Sequence, residues 1–226
     1  MASPLCTFLL LLALAAYTVW SSLHTGRLRA AEHPNRVALY GVTLLFEWFL
    51  FALVAIGVRG RETTLGTLVG ERWSSFRAAV RDIAVAAGFW LASIVLLGIF
   101  GFLLGLRGVD RNLSYLLPSG PLEMGLWIVL SMSAGICEET VFRGLLQRQF
   151  ALWTGNATAG LVLSAAAFGA GHAYQGWRRA VLIGLYGCMF GILARWRRSL
   201  RPGMMAHAWQ DSVSGIVGSV LQRSLR

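Results

Sequence analysis

Long apolar runs alternate along the chain with short segments rich in arginine, proline and glycine. A bilayer's hydrocarbon core is about 30 Å thick and is crossed by roughly 20 residues of helix. Seven runs approach or exceed this length: 4–23, 37–58, 83–106, 122–147, 157–174, 180–196 and 204–221. The pattern therefore predicts an all-α, polytopic bundle of about seven transmembrane helices. No soluble domain fits between the runs, so 1–226 is expected to form a single membrane domain.

Composition agrees with a membrane location. Hydrophobic residues make up 56% of the chain, charged residues only 13%, and the mean hydropathy is +0.62. These values lie outside the range of soluble globular domains. The net charge of +10 arises from arginines that cluster between the apolar runs. This placement is typical of membrane-flanking charge, so nucleic acid is not expected as a partner.

The N-terminal stretch 1–26 contains no Asp, Glu, Lys or Arg. A secretory signal peptide needs a positively charged region before its apolar core. The stretch is therefore predicted to be the first membrane helix. The segment 60–81 has two interpretations, a solvated loop or an amphipathic helix on the membrane surface. The second rests on Arg72, Trp73, Phe76, Arg77 and Arg81.

The three cysteines, Cys6, Cys137 and Cys188, lie in apolar stretches without a CxxC pair or metal-ligand spacing. They are interpreted as small apolar residues. Ionisable residues inside a membrane run are costly and therefore point to function. Glu47 stands alone in the second run, between Phe46 and Trp48. Its aromatic neighbours favour an interhelix hydrogen bond or a shallow position over a functional role.

The fourth run contains two adjacent carboxylates near its end, Glu138 and Glu139, followed by Arg143. On a helix Glu139 and Arg143 are four residues apart and share a face, so they can form an ion pair. Glu138 points elsewhere, and a carboxylate left without a partner suits a general base. The alternative is that all three residues form the solvated end of the helix.

Two further runs carry polar residues at helical spacing. His172 lies in the fifth run, one turn after Phe168, and in the seventh run His207 and Asp211 are four residues apart. Three separate runs with such residues are hard to explain by packing alone. The sequence therefore predicts that Glu138, Glu139 and the two histidines line one polar cavity within the membrane.

These pieces resemble the motifs of the CAAX protease and bacteriocin-processing family, also called the Abi family, which includes the Ras-converting CAAX endopeptidases. The motifs are Glu-Glu-x-x-x-Arg at 138–143, Phe-x-x-x-His at 168–172 and His-x-x-x-Asp at 207–211. They occur in this order, and the resemblance covers the catalytic helices at 122–221. It implies an intramembrane glutamic endopeptidase that needs no cofactor.

The resemblance also implies a role for each residue. Glu138 would activate water with help from His172, and Glu139 with Arg143 would form a supporting pair. His207 and the residue at 211 would stabilise the oxyanion of the tetrahedral intermediate. Two departures stand out. Members of the Ras-converting type look eight-helical, so the resemblance implies an eighth helix, which is expected between 108 and 121. At 211, Asp replaces the common Asn.

An ionised Asp211 cannot donate a hydrogen bond to an oxyanion. The sequence therefore predicts that Asp211 either orients His207 or holds a proton and donates as Asn would. In the first case His207 would donate one N–H to Asp211 and turn its other nitrogen to the substrate.

Three alternatives remain from the residues alone. Two histidines and several carboxylates are residue types that can coordinate zinc, although no His-Glu-x-x-His motif is present. A noncatalytic scaffold or bacteriocin-immunity protein could keep the same fold. A transporter is disfavoured, because no inverted repeat is evident. The expected substrate is a membrane-anchored protein or peptide, and the expected location is the plasma membrane of a prokaryote.

Overall fold

The computed structural model describes residues 1–31, 34–70, 72–106 and 111–224, and every regular element in these ranges is helical. The α-helices are α1 (Pro4–Ala30), α2 (Arg36–Val58), α3 (Leu65–Val69), α4 (Phe76–Leu103), α5 (Pro121–Glu138), α6 (Gln147–Thr154), α7 (Ala157–Gly171), α8 (Trp177–Arg197) and α9 (Arg201–Ser224). A π-helix, Glu139–Leu146, joins α5 to α6 without a break. Two 3-10 helices cover Arg111–Leu116 and Ala173–Gln175.

All seven predicted runs are helical, which confirms the all-α polytopic class. Several helices continue past the apolar run into the flanking arginines, since a helix satisfies its own backbone hydrogen bonds wherever the membrane ends. The helix count is roughly consistent with the expected bundle, although not every predicted span passes a test of length and composition. Within the described ranges, five helical segments are long and apolar enough to cross a membrane. They are Pro4–Ala30, Arg36–Val58, Phe76–Leu103, Pro121–Thr154 and Trp177–Arg197.

The other two predicted spans fall short for different reasons. Helix α7 is apolar but has only 15 residues. Helix α9 has 24 residues and a low apolar content, because it carries the polar residues of the third motif. The eighth helix expected between 108 and 121 is not found in the described part of that segment, where the 3-10 helix Arg111–Leu116 is too short to cross a bilayer. Arg107 and Asp110 lie outside the described residues.

The segment 60–81 does not form one amphipathic surface helix in its described part. It contains α3, and Phe76 then opens α4 behind the capping side chain of Ser75. Arg148 donates to the carbonyl oxygens of Thr67 and Leu68, at 2.9 and 3.0 Å. These contacts hold α3 against the bundle at the end of the molecule where α2 finishes.

The continuous element from α5 through the π-helix to α6 is the centre of the bundle. In its most apolar stretch half of the residues are buried. In the corresponding stretches of α1 and α4 only about a tenth are buried, so these two helices form the lipid-facing periphery. Helices α2 and α9 pack on α5, and α7 packs on α6 and α8. Helix α2 contributes Leu50 and Val54 to the main core, where they meet Phe142 and Leu145 of the π-helix.

One glycine brings the first and third motifs together. A Cβ atom at Gly135 would lie 2.5 Å from the Met204 carbonyl oxygen and 3.2 Å from the Ala208 amide nitrogen. Helices α5 and α9 therefore touch backbone to backbone, as small residues allow inside a membrane. His207 is adjacent to Ala208, so this crossing sets the distance between His207 and the two glutamates.

Candidate active site

The change from α-helix to π-helix falls between the two glutamates. Glu138 is the last residue of α5 and Glu139 the first of the π-helix. On a helix, residues four apart lie on the same face, and neighbouring residues point in different directions. Glu139 and Arg143 consequently stack on one face, while the Glu138 side chain, 21% exposed, turns toward the cavity described below.

The Glu139–Arg143 ion pair is the most deeply buried charge pair of the site. Arg143 Nη1 donates to Glu139 Oε1 at 2.9 Å, and both side chains are 1% exposed. Phe168 and Phe190 hold the guanidinium from the sides, with ring centroids 4.2 and 5.0 Å from its carbon. A cation between aromatic faces is stabilised by their quadrupoles. The structure thus places these two predicted residues as a pair beneath the cavity.

His207 connects this pair to the cavity. Its Nδ1 lies 3.0 Å from Glu139 Oε1, the same oxygen that accepts from Arg143. Because a carboxylate paired with arginine only accepts, Nδ1 must carry the proton and donate. Phe190 stacks on the imidazole at 5.1 Å between ring centroids. The orientation of the His207 ring is therefore fixed by the hydrogen bond at its edge and by the Phe190 ring on its face.

The other nitrogen of His207 lies between the two remaining carboxylates. Nε2 is 3.6 Å from Glu138 Oε2 and 3.6 Å from Asp211 Oδ2. An unprotonated nitrogen would present a lone pair to both carboxylates, whereas an N–H at Nε2 is attracted to them. This environment favours His207 as a donor toward the cavity.

One sequence expectation about Asp211 is wrong in detail. It assumed that Asp211 takes one imidazole nitrogen and leaves the other for the substrate. Instead, Nδ1 of His207 is hydrogen-bonded to Glu139. The nitrogen available to a substrate is therefore Nε2, which is the one that lies near Asp211. The reason is long-range packing, since Glu139 and His207 are 68 residues apart and helical spacing within α9 cannot reveal their contact.

His172 is the C-cap of α7 and lies in the cavity wall. Its Nδ1 lies 2.9 Å from the Phe168 carbonyl oxygen, one turn earlier. A carbonyl oxygen only accepts, so Nδ1 carries the proton and Nε2 is left as an acceptor. The Phe168 ring packs edge-on against both His172 and His207, at 5.0 and 6.0 Å between centroids. The second motif thus supplies an imidazole and the aromatic side chain that separates it from His207.

A cavity of about 770 Å³ receives these side chains. Its wall includes Glu138, His172, His207 and Asp211, so the structure brings residues of all three motifs to one space. Glu139 and Arg143 are not in the wall and lie behind it. Most of the remaining wall is apolar. It includes Tyr17, Trp20, Leu39, Tyr40, Leu97, Trp127, Leu182 and Tyr186.

Two residues at this cavity were not assigned to it from the sequence. Glu47 of α2 is 5% exposed and lies in the cavity wall. The signal for it was present, because an isolated acid at membrane depth points to function. Trp127 donates its indole N–H to the Asp211 carbonyl oxygen at 2.8 Å. Nothing in the sequence distinguishes Trp127 from the other tryptophans of the chain.

The histidine nitrogens limit how a metal could be held. Each Nδ1 already has an acceptor, Glu139 for His207 and the Phe168 carbonyl oxygen for His172. A metal would have to use both Nε2 atoms and a cavity carboxylate. Among the described residues, no group of three His, Cys, Asp or Glu side chains has the spacing for a metal ion.

The fold and the site together define a polytopic membrane protein with carboxylates and imidazoles in an internal cavity. Residues 120–213 match a family described as "Rce1-like: Type II CAAX prenyl endopeptidase Rce1-like". The match contains all three motifs. This similarity supports the resemblance to the CAAX protease and bacteriocin-processing family, and it supports a CAAX-type protease. Comparison of the chain with curated proteins and with solved structures gave no match.

Proposed function

We propose that this protein is a metal-independent intramembrane endopeptidase that cleaves a membrane-anchored protein or peptide, with Glu138 as the base. The observation that carries the proposal is the contact of 3.6 Å between Glu138 Oε2 and His207 Nε2 in one cavity wall. The contact supports the proposal because a carboxylate can take a proton from water and a neighbouring imidazole N–H can stabilise a negative oxygen. We further propose the plasma membrane of a prokaryote as its location.

The reaction needs one water molecule and no other reactant. Glu138 takes a proton from water as the water oxygen bonds to the scissile carbonyl carbon, and the carbonyl π electrons move to its oxygen. His207 donates from Nε2 to this oxyanion. When the C–N bond breaks, Glu138 returns the proton to the leaving nitrogen. His172 Nε2, an acceptor, orients the water, and Glu139 with Arg143 holds His207.

Proteomics of cells that carry Glu138→Ala tests the function directly. An endopeptidase should leave a membrane-bound precursor that accumulates uncleaved in the variant and disappears when the wild-type gene is restored. A scaffold or immunity protein of the same fold would keep its phenotype in this variant, because the approach of Glu138 to His207 on α9, at 3.6 Å, is too long for a hydrogen bond that would hold the two helices together. An unchanged membrane proteome with the phenotype retained contradicts the proposed activity.

We expect Asp211→Asn to retain proteolysis, within about tenfold of wild type in either direction. Asn keeps the shape and an oxygen near His207 Nε2, and it adds an N–H that can donate to the oxyanion. The measurement is kcat/KM on the precursor identified above, with Asp211→Leu as the comparison that removes both functions. A loss in Asp211→Asn as complete as that in Glu138→Gln would move the base to Asp211.

Chelation is expected to leave proteolysis unchanged. The proposed base, donor and water-orienting group are all side chains, so no step requires a Lewis acid. Activity is measured after prolonged incubation with a strong chelator, and the metal content of the same sample is measured by mass spectrometry. Loss of activity that is restored by stoichiometric Zn²⁺ would establish the zinc alternative.

A further inference from the structure

Glu47 is a buried acid that the proposed reaction does not use. It lies in the middle of the apolar helix α2, is 5% exposed, and its Oε2 has no hydrogen-bond partner. Among the described residues, no ion pair forms on Glu47. An isolated carboxylate in such surroundings carries a large desolvation penalty. A buried acid without a cation is therefore more stable with its proton than without it.

The side chains around Glu47 show what it faces. Glu47 lies in the wall of the same cavity as Glu138, His207 and Asp211, and its helix α2 packs directly on α5, which ends at Glu138. The Ser133 hydroxyl of α5 interacts with it from the side. Glu47 and the proposed base thus line the same cavity. The titratable neighbours of Glu47 are Tyr17 of α1, Cys137 and Glu138 of α5, and His207 and Asp211 of α9.

Two carboxyl groups in one apolar cavity repel each other when both are charged, unless a cation offsets the repulsion. The imidazole of His207 in the same wall already contacts three carboxylates. One proton shared by Glu47 and Glu138 removes the repulsion. Of the two, Glu138 is the more exposed and lies next to His207, so the charge belongs on Glu138 and the proton on Glu47.

We propose that Glu47 is a positioning residue that holds a proton and donates a hydrogen bond to Glu138, directly or through one water. The inference rests on the proposed function of Glu138 as a base. In this arrangement Glu47 keeps the Glu138 carboxylate charged and aimed at the water that it activates. Glu47 itself does not touch the substrate.

The alternative is structural, a hydrogen bond from Ser133 that only holds α2 against α5. Substitution of Glu47 by Gln or by Leu distinguishes the positioning role from the structural role. Gln at 47 keeps the shape and supplies an N–H donor to Glu138, whereas Leu keeps the approximate volume and supplies none. Both remove the proton-holding carboxyl group. The pair of variants therefore separates donation to Glu138 from simple packing.

The first experiment compares infrared spectra of the wild-type protein and its variants, each in lipid nanodiscs. The carbonyl stretch of a protonated carboxyl group should be present in wild type, lost in Glu47→Gln and Glu47→Leu, and kept in Glu123→Gln. Glu123 is a matched control because it lies at the start of α5, outside the cavity wall, and pairs with Arg36 at 3.8 Å. A protonated-carboxyl band that keeps its full wild-type intensity in Glu47→Gln overturns the assignment of the proton to Glu47. This result does not depend on proteolysis.

The second experiment measures kcat and KM separately. Glu47→Leu should lower kcat by roughly 10- to 100-fold, as expected when a reacting group is misplaced, with KM nearly unchanged. Glu47→Gln should recover most of kcat. Equal losses in both variants, accompanied by equal losses of thermal stability, would assign Glu47 a structural role. A wild-type protein without proteolytic activity would contradict the proposed function instead, and the infrared result would still stand.

Discussion

Glu138→Gln is expected to lower proteolysis by about 10²- to 10⁴-fold, the usual contribution of a general base. The substitution keeps the size and shape of the side chain but removes the group that accepts a proton from water. Glu138 is 21% exposed and contacts His207 at 3.6 Å, so the fold should not depend on its charge. The measurement is single-turnover cleavage of the precursor, with thermal unfolding in the same lipid to show that the variant is folded.

Two companion variants define what the loss means. Glu123→Gln makes the same chemical change on the same helix but outside the cavity wall, and it should remain active. Glu139→Gln should lose less activity than Glu138→Gln, because its amide oxygen can still accept from His207 and Arg143. Full activity in Glu138→Gln with loss only in Glu139→Gln would mean that the roles of the two carboxylates are reversed.

The parts of the site that could be predicted from the sequence are those set by spacing along one helix. The Glu139–Arg143 pair follows from two positions four residues apart, and its ion pair of 2.9 Å needs no knowledge of other helices. The position of His172 one turn after Phe168 is likewise local, and so are the apolar runs that became helices. Membrane burial makes each such polar residue conspicuous, because the bilayer offers it no water.

The parts that could not be predicted depend on how helices cross. The hydrogen bond from His207 to Glu139 requires the close approach of α5 and α9 at Gly135, which no local pattern encodes. The π-helix, which begins between the two glutamates, has no sequence signal that distinguishes it from an α-helix. Glu47 was visible as an isolated acid, but only the packing of α2 against α5 shows that it shares a cavity with Glu138.

Arg143→Met is expected to cost about 3–5 kcal/mol of stability, the largest loss for a single side chain in the site. Removal of one partner of a buried ion pair leaves the other as an uncompensated charge. Glu139 is 1% exposed, and its Oε2 already lacks a hydrogen-bond partner, so water cannot solvate it in the folded state. The aromatic contacts of Phe168 and Phe190 with the guanidinium would be lost in the same step.

The double variant Glu139→Gln/Arg143→Met separates charge from packing. Gln at 139 removes the stranded charge and keeps an acceptor for His207 Nδ1, so the double variant should be more stable than Arg143→Met alone. The free energy of unfolding is measured by denaturant titration in mixed micelles for wild type, both single variants and the double variant. Arg195→Met is the matched control, since Arg195 is exposed and its best contact is a hydrogen bond of 3.4 Å to the Ala157 carbonyl oxygen.

The sign of the coupling energy decides between two views of the pair. If the ion pair neutralises a buried carboxylate, the two substitutions are strongly non-additive, and the double variant recovers part of the stability that Arg143→Met loses. If Arg143 acts only by filling space between Phe168 and Phe190, the effects of the two substitutions add. Additive losses would therefore contradict the charge argument, and they would leave the orientation of His207 to be explained by the stacking of Phe190 alone.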